Sequence, residues 1–138
     1  MSNTIKTFNN QIYNLVNTLS KRFPEDKDIK LAVTVIETLK STNPKKSIDV
    51  FLLHAYKYRD RIMSQEENFF LEKEYSTANT EEVKNQFSVN IIQNLKDNWG
   101  SLDSNERENI WKYLKVLIKL TDKYIKENLN STQLENSN

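Results

Sequence analysis

Apolar residues recur along this chain at the spacing of helix faces. Wound at about 100° per residue, Ile5, Phe8, Ile12, Leu15, Val16, Leu19 and Phe23 fall within an arc of about 100°. They predict a first helix from Asn3 or Thr4 to Arg22, with Asn3 or Thr4 accepting from the first free backbone N–H groups. Pro24 ends it, because the residue before a proline is pushed out of helical geometry. A second helix starts among Pro24, Glu25, Asp26 and Asp28, whose acids suit the positive end of a helix, and buries Ile29, Ala32, Val33, Val35, Ile36 and Leu39. Asn43 caps a third, about Pro44 to Met63, with Ile48, Phe51, Leu52, Ala55, Tyr58 and Ile62 on its main stripe. Val50 and Leu53 point away from that stripe, beside Lys57 and Arg61, so either a second helix covers them or they belong to a docking surface.

From Ser64 to Thr80 the periodicity stops, and Phe69, Phe70, Leu71 and Tyr75 are expected to pin an acidic connection onto the bundle. A fourth helix begins at Asn79 or Thr80 and uses Val83, Phe87, Ile91, Ile92, Leu95 and Trp99. Gly100 follows where a left-handed terminating residue belongs. Asp103 and Glu106 resemble a capping box for a fifth helix. In that last helix Lys112, Lys115, Lys119, Lys123 and Lys126 form one stripe roughly 80° wide, and apolar residues between Ile110 and Ile125 occupy most of the rest. So much apolar circumference predicts a helix in the middle of a bundle with only its lysine edge wet. The expected fold is all-α: a compact single-domain bundle of about five helices over residues 1–127, the C-terminal helix (about 104–127) central, and residues 128–138 a frayed polar tail.

Composition narrows this further. One glycine and two prolines leave few sites for tight turns, which excludes a hairpin-rich β fold. Twenty basic and nineteen acidic residues nearly cancel to a net charge of +1, so no global attraction to nucleic acid or an anionic membrane is expected. The charge is uneven, with five bases and two acids over residues 41–64 but six acids and one base over 65–82. No cysteine is present, so disulfides and thiolate metal sites are excluded. Nothing in MSNTIKTFNN resembles a secretory leader and no apolar run is long enough for a bilayer, so a soluble intracellular protein is expected.

No catalytic, cofactor or metal site is expected. His54 is the only histidine, one glycine cannot build a phosphate-cradling loop, and the paired carboxylates Glu66-Glu67, Glu72-Glu74 and Glu81-Glu82 sit in apparently exposed stretches. Two surfaces remain. Val50, Leu53, Lys57, Arg61, Phe69, Phe70 and Tyr75 are candidates for docking a protein partner, a reading that leaves a homo-oligomer open. The lysine stripe is a candidate for phosphate contacts, although a solvated edge whose stems cover apolar surface is the plainer reading, and Asp122 and Glu127 weaken its field.

Phe23-Pro24 with Asp26-Lys27-Asp28, Thr42-Asn43-Pro44-Lys45, Phe69-Phe70-Leu71-Glu72-Lys73 with Tyr75, and Ile110-Trp111-Lys112-Tyr113-Leu114 with Leu117-Ile118-Lys119-Leu120 occur in that order. Together they resemble a family of short helical proteins of giant nucleocytoplasmic large DNA viruses, over about Phe8 to Tyr124. These are core and turn residues, and no activity comes with the resemblance. It implies a viral protein in the cytoplasm, viral factory or particle. On this reading the expected function is a non-enzymatic structural or protein-interaction role, with nucleic-acid binding as the alternative.

Overall fold

A computed structural model describes residues 3–71 and 87–136, with backbone only for 87–91 and 130–136. Among the described residues there are seven α-helices and no strand: α1 (Thr4–Arg22), α2 (Lys27–Thr42), α3 (Lys46–His54), α4 (Arg59–Met63), α5 (Glu67–Leu71), α6 (Phe87–Asn98) and α7 (Ser104–Asn136). Tight 3₁₀ turns at Tyr56–Tyr58 and Trp99–Ser101 join α3 to α4 and α6 to α7. The expected start of the fourth helix, with Asn79, Thr80 and Val83, lies outside the described residues, as does Tyr75.

α1 occupies its expected span and buries Phe8, Ile12, Leu15, Val16 and Leu19, with Ile5 and Phe23 half-buried against them. Asn3 makes no side-chain cap bond, however. Instead the Thr4 hydroxyl donates to Glu127 Oε1 at 2.9 Å, so the start of α1 is fastened to α7. α2 starts within the expected stretch, and its cap is local: the Asp26 carboxylate accepts from the N–H groups of Asp28 and Ile29 at 3.0 and 3.1 Å. Asn43 ends α2 rather than capping α3; its own N–H bonds the Leu39 carbonyl at 2.9 Å, and α3 begins after Lys45 without a side-chain cap.

The single third helix expected over 44–63 is broken at Ala55. There the Tyr58 N–H reaches back three residues to the Ala55 carbonyl at 3.0 Å, tightening the coil. The tightening accompanies two tertiary bonds: the side chains of Tyr56 and Arg59 both reach Asp122 on α7. α4 then closes with Gln65 in the left-handed region (φ 53), while the Glu66 and Gln65 N–H groups bond the Arg61 and Ile62 carbonyls, each at 3.0 Å. This is a Schellman closure. The conformation expected at Gly100 therefore appears at a glutamine, whereas Gly100 has no positive φ and a Cβ there would meet open space.

The capping box at Asp103 is present in both halves, Glu106 N–H to Asp103 Oδ1 at 2.8 Å and Asp103 N–H to Glu106 Oε1 at 3.0 Å. α7 has α1 as its principal partner. It packs along α1, meets α4, and touches the 99–101 turn and α5 through Trp111. Its buried face is Ile110, Trp111, Leu114, Leu117, Ile118, Thr121 and Tyr124. Tyr113, Leu120 and Ile125 are only half-buried and Val116 is 39% exposed, so α7 is enclosed on one broad face and not around most of its circumference. The helix also continues through Asn136, past the fraying expected after Glu127. Extending an established helix by one residue is far easier than starting one, so a polar end carries on without an apolar pattern.

Candidate functional site

The residues suggested for protein docking are not gathered on one surface. Val50 is 4% exposed, and Phe69 and Phe70 are interior at 0% and 1%. Val50 lies off the main stripe of α3, but α3 has α1, α2 and α6 as neighbours, so Val50 is covered although it lies outside that stripe. Phe69 and Phe70 go beyond pinning a loop: Phe70 stacks on Trp99 with centroids 4.4 Å apart and meets Trp111 at 5.0 Å, while Phe69 contacts Phe70 at 4.8 Å and Tyr58 at 4.9 Å. Arg61 lies 5.1 Å over the Phe69 ring and its Nε donates to Glu66 Oε2 at 2.6 Å; Lys57 lies 5.1 Å over Tyr58. Leu53 is fully on the surface. The other large apolar side chains classed as exposed, Leu31, Leu71, Val116 and Leu129, sit on α2, α5 and α7. Single exposed apolar residues of this kind are ordinary on a folded surface.

The lysine stripe survives as a surface. Lys112, Lys119, Lys123 and Lys126 are exposed along α7, about 21 Å from first to last at the helical rise. Lys115 is half-buried and donates to the side-chain carbonyl of Gln65. Asp122, the only acid between Lys112 and Lys126, is engaged by Arg59, whose Nε and Nη2 donate to its two oxygens at 3.2 and 3.0 Å. The Tyr56 hydroxyl donates to the same carboxylate. A single-residue reading of the helix counts Asp122 against the stripe; its neutralising partner is 63 residues away and carries no local signal.

These bonds shift titration in opposite directions. The hydrogen bonds from Arg59, more than the opposing burial, hold the Asp122 carboxyl below its usual range. The bond to Asp122 and burial push the Tyr56 phenol up. On α7, burial and then its 2.7 Å bond to Asp49 Oδ1 push up Tyr124. Asp122 binds a proton less readily folded than unfolded, so its contribution to stability is complete above about pH 4 and fades as pH falls through the lowered folded value. The tyrosines release theirs less readily when folded; their contribution is complete below about pH 10 and is lost as pH rises through the raised values. Thermal midpoints measured across pH should therefore decline on both flanks. Asp122→Asn should flatten the acid flank, and Tyr56→Phe with Tyr124→Phe the alkaline one; unchanged flanks would dismiss these pairings.

Arg107 donates through Nε and Nη2 to the Trp99 carbonyl at 3.2 and 2.9 Å and covers the Trp99 ring, and Arg22 joins Glu106 Oε2 at 2.6 Å to the Ser101 carbonyl at 2.8 Å. A groove of about 640 Å³ between α1 and the α2–α3 connection is lined by Asn3, Ile5, Lys6, Asn9, Asn10, Lys40 and Pro44. Those amides and ammonium groups contain no carboxylate–imidazole pair for proton transfer. Among the described residues no group of three or more His, Asp or Glu side chains could hold a metal ion, and no helix is long and apolar enough to cross a membrane.

Comparison with known families, curated proteins and solved structures finds no match to this chain.

Proposed function

We propose that this is a non-enzymatic binding protein that engages nucleic acid along the lysine edge of α7. The observation that carries the reading is the pairing of Asp122 with Arg59. It leaves Lys112, Lys119, Lys123 and Lys126 as an exposed row in which Asp122 is already compensated, while Glu127, beside Lys126, accepts from the Thr4 hydroxyl. Docking of a protein through an apolar face, the reading favoured by sequence, loses Val50, Phe69 and Phe70 to the interior. The setting implied by the viral resemblance, an infected cell's cytoplasm or viral factory, is part of the same proposal.

Each phosphate neutralised by a lysine releases counterions, so affinity should fall steeply with salt. Fluorescence anisotropy with a labelled nucleic acid of roughly 20 base pairs should give micromolar binding at about 50 mM salt, with a log–log salt slope of roughly −3 to −4 for four lysines. The variant Lys112→Gln/Lys119→Gln/Lys123→Gln/Lys126→Gln should bind at least about tenfold more weakly and lose about one unit of slope per lysine removed. Its helicity by circular dichroism should be unchanged, because these side chains face solvent. Wild-type protein that shows no binding at low salt would end the proposal.

A further inference from the structure

Resting on the lysine-edge reading, the chemistry of that edge specifies the kind of nucleic acid. We propose that α7 holds the phosphate backbone of a duplex, without regard to base sequence.

Recognition of single strands depends on rings that bases can stack on, worth about 1–3 kcal/mol per base. Among the residues whose side chains are described, no aromatic ring is more than half-exposed. Tyr56 has its hydroxyl tied to Asp122, and Tyr58 is packed on Phe69 under the Lys57 ammonium. Trp99 and Trp111 are interior. Tyr113, half-buried, lies about 100° around α7 from Lys112, off the lysine row. An arginine plane could stack in place of a ring, but the Arg59 guanidinium beside the row is held by Asp122 and Asp60.

Base-edge readout fares no better. Between Lys112 and Lys126 there is no Arg, Asn or Gln, the side chains that pair two donors or acceptors with one base. Lysine offers a flexible point charge, which registers phosphate density and little else. A duplex presents one charge per about 1.7 Å of axis, twice the density of one strand. A helix carrying charges over about 21 Å suits a stiff, densely charged partner better than a coiling one.

The test is an anisotropy series on the full chain at low salt, with one duplex, its separated strand, a second duplex of scrambled sequence and phosphatidylserine vesicles. The expected result is a duplex bound at least about fivefold more tightly than its strand, the two duplexes agreeing within about twofold, and all binding weakened by the four-lysine variant. Equal or tighter binding of the single strand, or a tenfold difference between the two duplexes, overturns the duplex-backbone inference and leaves the lysine edge standing. Binding of vesicles alone, or of nothing, overturns both.

Discussion

Phe70→Ala should cost about 3–5 kcal/mol of stability, the range found when a fully buried aromatic ring is deleted. Phe70 is 1% exposed, and its ring is shared among Phe69, Trp99 and Trp111, so one deletion loosens three ring contacts at once. A domain of this size has about 5–15 kcal/mol in hand, so the variant should be close to unfolding at ordinary temperature. Urea titration followed by the fluorescence of Trp99 and Trp111, both interior, reads the loss directly. The neighbouring Leu71→Ala should change little, because Leu71 is 59% exposed. A cost below about 1 kcal/mol for Phe70→Ala would mean that α5 does not dock where the structure puts it.

The same lysine introduced at two positions of α3 should have opposite consequences. Val50→Lys forces an ammonium into a site covered by neighbouring helices and should cost about 3 kcal/mol or more, because Val50 is 4% exposed and the charge would lose its water. Leu53→Lys, at a side chain 71% exposed in the last turn of the helix, should stay within about 0.5 kcal/mol, where a cation is also tolerated by the helix dipole. Denaturation midpoints of the two variants decide the matter. Equal, small effects would return Val50 to the surface and revive it as a docking residue.

Much of the backbone was legible because its causes are local. The period of α1, the acidic start of α2 and the Asp103–Glu106 box each depend on residues within a few positions of one another, and each formed as expected. What escaped was decided at long range. The break at Ala55 accompanies a bond between Tyr56 and a carboxylate 66 residues away, which no periodicity can announce. Gly100 was the natural choice for a left-handed closure by composition alone. Gln65 takes that conformation instead, and its amide meets both Lys115 and Glu108 on α7. The candidate surfaces divided along the same line. The lysine stripe follows from one helix's own winding and four of its five members stayed exposed, whereas the burial of Val50, Phe69 and Phe70 depends on which helices pack nearby.

The clasp between Thr4 and Glu127 spans 123 positions, so α1 and α7 meet only after nearly everything between them has been synthesised. Until then the newly made first helix presents Phe8, Ile12, Leu15 and Leu19 with a principal mate still missing. Consolidation must wait for α7 to emerge from the ribosome, and contacts this distant make for a slower step than the helical content alone would suggest.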